Sequence, residues 1–147
     1  EKQGILDQYL FLPAFPGVEE CLDYLKASEI KLYAFSNGTR EMVDRVLGNA
    51  GIHSFFTDII STDEIHSFKP DPDVYNHFLS RTNSTGGEAW LVSSNPFDVV
   101  GAISAGIKSV WIKRKPDYVF DPWEIKPTIT LNNISELSPI ILKSVIS

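Results

Sequence analysis

Side chains able to bind or hold an ion gather at three points of the chain: Ser36-Asn37, Lys69, and Ser93-Ser94-Asn95 followed by Asp98. Tyr75 and Phe97 lie close to the second and third points. Ser36-Asn37 and Ser93-Ser94-Asn95 each end a short apolar run, and in parallel α/β sheets ligands bind beyond the C-terminal ends of the strands. The clusters therefore point to a ligand site. Taken singly, each residue has an ordinary structural use. A serine or asparagine at a strand-end turn satisfies local backbone groups. A lone lysine is solvated, Tyr75 on an apolar helix face reads as core, and Asp71 before Pro72 reads as a helix cap. Only the joint pattern lifts them above those uses. Metal and thiol chemistry find less support. His53, His66 and His77 lack the close pairing typical of a zinc site, and Cys21 falls in a helical apolar pattern as a small core residue. Trp90, Trp111 and Trp123 read as packing residues.

The elements that must position these residues alternate. Val18, Cys21, Leu22 and Leu25 have the i, i+3, i+4, i+7 spacing of an amphipathic helix, entered through Pro16-Gly17. Lys31 to Phe35 is a buried strand that stops at Ser36-Asn37-Gly38. Thr39 caps a second helix with Met42, Val43, Val46, Leu47 and Ala50 on one face and Gly51 as its stop. Thr57 to Ser61 is a strand, and a helix follows Asp71-Pro72. Ala89 to Val92 is the next strand, and a helix carrying Val99, Val100 and Ile103 ends at Gly106. Lys108 to Ile112 and Thr128 to Leu131 are further strands. Strands alternating with helices predict an α/β fold, a parallel sheet with helices on both faces.

With 147 residues, 43% of them hydrophobic and 22% charged, the chain has the balance of one globular domain. The net charge of -6 and the absence of a basic run speak against a nucleic-acid surface. No apolar stretch approaches the roughly 20 residues of a membrane helix. The start shows no signal-peptide pattern, and a single cysteine suits a reducing compartment. The expectation is a soluble cytoplasmic protein with no nucleic-acid or membrane partner.

Three ordered strings carry a resemblance: Phe35-Ser36-Asn37-Gly38, then Phe68-Lys69-Pro70-Asp71-Pro72-Asp73-Val74-Tyr75, then Val92-Ser93-Ser94-Asn95-Pro96-Phe97-Asp98. They look like motifs two, three and four of the haloacid dehalogenase superfamily and, more narrowly, of its L-2-haloacid dehalogenase branch. Lys69 lies 33 positions after Ser36, as in that branch. The resemblance runs from about Asp7 to about Leu137 and implies a Rossmann-like core. It implies that Ser36 and Asn37 bind the substrate carboxylate, at a turn where helix N-termini favour anions. Lys69 would pair with a nucleophilic aspartate and hold it ionised, with Tyr75 as a hydrogen-bonding partner nearby. Ser93, Asn95 and Asp98 would position the nucleophile and the hydrolytic water. Phe97 stands where the branch commonly has tryptophan, a departure in the pocket wall that bears on substrate size. In the superfamily's phosphatases the fourth motif offers an acid that ligates magnesium, and here Ser94 takes that place. A hydroxyl weakens a hard-cation site, so the substitution favours dehalogenation of a short 2-haloacid without a cofactor.

The family's mechanism is nucleophilic: an aspartate at the end of the first strand displaces halide, and water cleaves the ester. Residues 1–15 look like a remnant of the cap domain and its return linker, and 16–147 like the core. The 35 residues before Ser36 are too few for the nucleophile strand, the cap and the first core helix together. Asp7 lacks the apolar run and the Asp-x-x-Gly-Thr setting of that nucleophile. The resemblance thus implies a chain without its first strand, inactive alone, with the second and fourth strands facing a gap or exposing unpaired edges. The strand is then lost, or supplied by a partner chain or a homodimer. Two other readings stand beside this one: a related phosphatase with an unusual fourth motif, and a non-catalytic remnant serving as a binding module.

Overall fold

The computed structural model describes residues 17–117, 119–120 and 124–138. Within them α1 (Val18–Ala27), β1 (Tyr33–Ser36), α2 (Arg40–Asn49), β2 (Asp58–Ser61), α3 (Pro72–Thr82), β3 (Trp90–Ser93), α4 (Pro96–Ser104), β4 (Lys108–Ile112) and β5 (Ile129–Leu131) follow in order, linked in places by short 3-10 turns. All strand pairs are parallel. No described helix is long and apolar enough to cross a membrane.

The helices begin and end where local chemistry directs. Thr39, Asp71 and Asn95 cap α2, α3 and α4, accepting from the backbone N–H of Met42, Asp73 and Phe97. Each cap satisfies a donor that would otherwise be orphaned, worth about 1 kcal/mol. Gly51 and Gly106, predicted as helix stops, have φ of 75° and 85°, a region open to glycine at little cost.

The parallel sheet with helices on both faces is as expected; the described strands form it in two parts, β1–β2 and β3–β4–β5, with no pairing between β1 and β3. Among the described strands each of these two has a hydrogen-bonded neighbour on one side only. Their burial follows. Residues Ser109 to Ile112 of the doubly flanked β4 are buried, whereas all four residues of β1 are half-buried and Val92 of β3 is 37% exposed.

Helices hold the two sheets together. On one face α1 sends Leu22 to a cluster with Leu47, Ile52 and Ile59, and Cys21 and Leu25 to another with Val110, Ile112, Leu131 and Leu137. On the other face α3 and α4 contribute Val74, Tyr75 and Ala102 to a cluster joined by Phe35 of β1 and Leu91 of β3. Side chains alternate across a strand, so Tyr33 and Phe35 meet Phe78 and Tyr75 of α3 while Ala34 meets the α1–α2 face. Burying each large aliphatic group contributes roughly 1.5–3 kcal/mol.

Candidate active site

Three turns at the C-terminal ends of the strands converge. After β1, Ser36 Oγ accepts from the Gly38 N–H at 3.0 Å. Asn37 Oδ1 accepts from Thr62 Oγ1 at 3.1 Å and from the Lys69 backbone N–H at 2.8 Å. One side-chain oxygen thus ties the turn after β1 to the end of β2 and to the loop that carries Lys69. Across the cleft, Ser93 Oγ accepts from the Asn95 N–H at 3.0 Å. Asn95 Oδ1 accepts from the Phe97 N–H at 3.0 Å.

These bonds consume acceptors and leave donors. A hydroxyl has one O–H and a primary amide two N–H groups. The Ser36 O–H and the amide N–H groups of Asn37 and Asn95 donate to nothing among the described residues. These open donors on the cleft wall are groups that suit an anion.

Lys69 crosses between the two halves. Its Nζ donates to the Phe35 carbonyl at 2.8 Å and to Asp98 Oδ2 at 3.0 Å, and lies 4.1 Å from the centre of the Phe35 ring. The Lys69 and Asp98 side chains are only 12% and 10% exposed. Tyr75, wholly buried, donates to Asp98 Oδ1 at 2.9 Å and also approaches the Asp98 carbonyl at 3.1 Å. Burial pulls the Lys69 ammonium below the ordinary lysine value, against the opposing pull of the Asp98 charge. Burial first, and the Asp98 charge second, push the Tyr75 phenol well above the ordinary tyrosine range, so it remains protonated and remains a donor.

The cleft measures about 180 Å³ and is lined by Phe35, Ser36, Asn37, Lys69, Pro70, Asn95, Phe97 and Asp98. At ~30 Å³ per water this is room for a handful of atoms only. Of the residues singled out from sequence, Ser36, Asn37, Lys69, Asn95, Phe97 and Asp98 meet here. Tyr75 lies behind Asp98, and Phe97 stands at the rim, 54% exposed. Ser93 does not line the cleft; its hydroxyl oxygen is used within its own turn. Asp7 and Trp123 lie outside the described residues. Phe35 and Thr62 were not singled out. Phe35 reads as strand core, and Thr62 is marked in sequence only by following the apolar end of β2.

Among the described residues the lining is poor in ligands for a hard cation: Asp98 is its one carboxylate, with one oxygen bonded to Lys69 and the other to Tyr75. Among the described residues no three acidic, histidine or cysteine side chains gather as a metal cluster.

The haloacid dehalogenase-like hydrolase family model matches residues 5–112. The chain belongs to the haloacid dehalogenase-like hydrolases. It is 31% identical to the (S)-2-haloacid dehalogenase 4A of Burkholderia cepacia, over 98% of this chain and 62% of that protein. Among solved structures of the superfamily, a dehalogenase superposes with a TM-score of 0.81 at 31% identity, over 95% of this chain and 61% of that one. A HAD phosphatase from Thermococcus onnurineus superposes with a TM-score of 0.80 at 25% identity, over 96% and 64%. The fold is thus shared by both chemistries, and the chain spans about 62% of the length of the first of these relatives.

Proposed function

We propose that the cleft is the core half of a 2-haloacid dehalogenase site, acting on short 2-haloacids in the assembled protein. The observation that carries this is the set of open donors beside the Lys69 ammonium: the Ser36 hydroxyl and the Asn37 and Asn95 amides donate to nothing among the described residues. Such a set suits a small carboxylate. The carboxylate of the substrate is held by the Ser36 hydroxyl and the Asn37 amide. A nucleophilic aspartate, on a segment outside the described residues, is held ionised by Lys69. One of its oxygens attacks C2, a C–O bond forms, and the carbon–halogen bond breaks with its electron pair leaving as halide. Water then attacks the ester carbonyl, the C–O bond of the aspartyl carbonyl to the substrate oxygen breaks, and the 2-hydroxy acid, the aspartate and one proton are released. Asn95 and Asp98 orient the nucleophile and this water.

Asp98 is read as a positioning group and not as the nucleophile: Tyr75 and Lys69 hold its two oxygens at 2.9 and 3.0 Å, and the resemblance places it in the fourth motif. On this reading the described cleft lining supplies no nucleophile of its own, and without an aspartate brought to it the 147-residue chain is expected to be inactive.

The test is halide release from 2-chloropropionate. The expected result is no turnover by the 147-residue chain, and turnover by a longer form carrying an upstream aspartate-bearing strand, unaffected by chelator. Turnover by the 147-residue chain would overturn the assignment of the nucleophile. Hydrolysis of phosphomonoesters that requires magnesium, with no halide release, would move the protein to the phosphatase reading.

A further inference from the structure

Helix interiors favour alanine over glycine, because glycine loses more backbone freedom on folding. α4 nevertheless carries Gly101 in its interior, without the positive φ that would call for glycine. What excludes a side chain is Tyr75. A Cβ at position 101 would lie 2.4 Å from Tyr75 Oη and 2.7 Å from both Cε2 and Cζ. The ring has nowhere to retreat: Tyr75 is wholly buried and meets the Phe35 ring edge-on at 5.7 Å.

Asp98 stands three residues before Gly101 on the same helix, and residues at that spacing share a face. The phenol lies on the bare Cα of Gly101, which brings its oxygen to Asp98 Oδ1 at 2.9 Å. With Oδ1 held there, Oδ2 faces Lys69 at 3.0 Å.

We infer that Gly101 is a positioning residue: its missing side chain is the seat of the Tyr75 phenol, which in turn fixes the Asp98 rotamer that holds Lys69. Gly101→Ala displaces the phenol, leaves Asp98 Oδ1 without its donor in a buried site, and frees the carboxylate to turn from Lys69. The consequence for catalysis rests on the proposed function; the geometry does not.

The experiment labels the five tyrosines with ¹³C at Cζ and follows their NMR signals from pH 7 to 11, with Tyr75 assigned by the signal lost in Y75F. In the wild-type protein the Tyr75 signal stays that of a neutral phenol throughout. In G101A it shifts at neutral pH and begins to titrate within the range. In parallel, G101A lowers the Tm by ~5 °C or more, as forced overpacking does. The Y75L substitution removes the three colliding atoms, so G101A/Y75L melts no lower than Y75L. An unchanged Tyr75 signal in G101A overturns the inference, and so does an equal Tm loss from G101A in the wild-type and Y75L backgrounds. If G101A does not fold, folding of G101A/Y75L supports the inference and its failure overturns it. None of these readings needs turnover. Failure of halide release therefore counts against the proposed function, and failure of the tyrosine and melting readings counts against Gly101.

Discussion

Among the described residues a surface charge network and a buried charge pair are built differently. On the outside, Arg40 reaches Asp58 at 2.6 Å, Arg81 reaches Asp58 at 2.9 Å and also pairs with Glu64, and His77 lies 3.4 Å from Glu64. This network joins the start of α2, the start of β2, the turn at Thr62–Ile65 and the last turn of α3. Its guanidinium of Arg40 is 58% exposed. In the cleft there is one pair, Lys69 with Asp98, buried and seated on the Phe35 ring. Exposed pairs are screened and each contributes little, while a buried pair must overcome desolvation and is poorly suited to stabilisation alone. A count of ion pairs would lead to the wrong side of the molecule. Burial, together with donors left open beside the pair, leads to the site.

The contrast breaks most sharply at Asp98. Asp98→Ala leaves the Lys69 ammonium buried without a carboxylate and Tyr75 without an acceptor, and should destabilise the fold by about 3–5 kcal/mol in urea unfolding. A loss under ~1 kcal/mol would mean that the cleft pair behaves like a surface pair. Next comes Lys69→Met in the longer, active form. The methionine retains most of the apolar stem, while halide release should fall by ~100-fold or more with the loss of the positioned charge. Unchanged turnover would remove Lys69 from the chemistry.

A pH series sharpens the same comparison. Burial holds the Lys69 value below 10.5, so kcat/KM should decline on the alkaline side before an ordinary lysine would titrate. Stability moves the other way. Between the depressed folded value and 10.5 the unfolded chain holds a proton that the folded one has released. This group therefore favours the folded state increasingly as pH rises through that window. Parallel decline of activity and stability there would point to general unfolding instead. The smallest effect belongs to the surface. Arg81→Ala should cost at most ~1 kcal/mol, less at high salt, and leave halide release unchanged.

The order of elements was legible because apolar spacing and caps are local. Thr39 and Asp71 announced two helices, and Gly51 and Gly106 ended two, whereas the cap at Asn95 emerged only in the structure. Boundaries shifted where tertiary pairing decides. β1 begins at Tyr33 rather than Lys31, because the ladder opens at Tyr33 opposite Asp58. On α4 the buried face is Asp98, Val99, Gly101 and Ala102 rather than Val99, Val100 and Ile103. The hydrophobic pattern could not anticipate that a phenol and a carboxylate would be packed there. The polar strand ends were visible, but which of their atoms remain open was not. That depends on Thr62 and the Lys69 backbone, 25 and 32 residues from Asn37. Among the described strands β1 and β3 do not pair with each other, a separation that the local apolar pattern alone does not encode.

Trp111, read from sequence as simple packing, has a second consequence. Its indole N–H donates to the Ser94 carbonyl at 3.1 Å from a site only 4% exposed, and Ser94 belongs to the turn that presents Asn95 to the cleft. An indole's excited-state dipole responds to the field along such a bond. If an anion binds at the Asn95 amide as proposed, it should alter that field and shift the Trp111 emission, which a fluorescence titration with 2-chloropropionate checks. Trp90, at the opposite end of β3, packs in the cluster beneath α1 and supplies a steady background. Trp111→Phe should then remove this contribution to the optical signal, giving a label-free gauge of cleft occupancy.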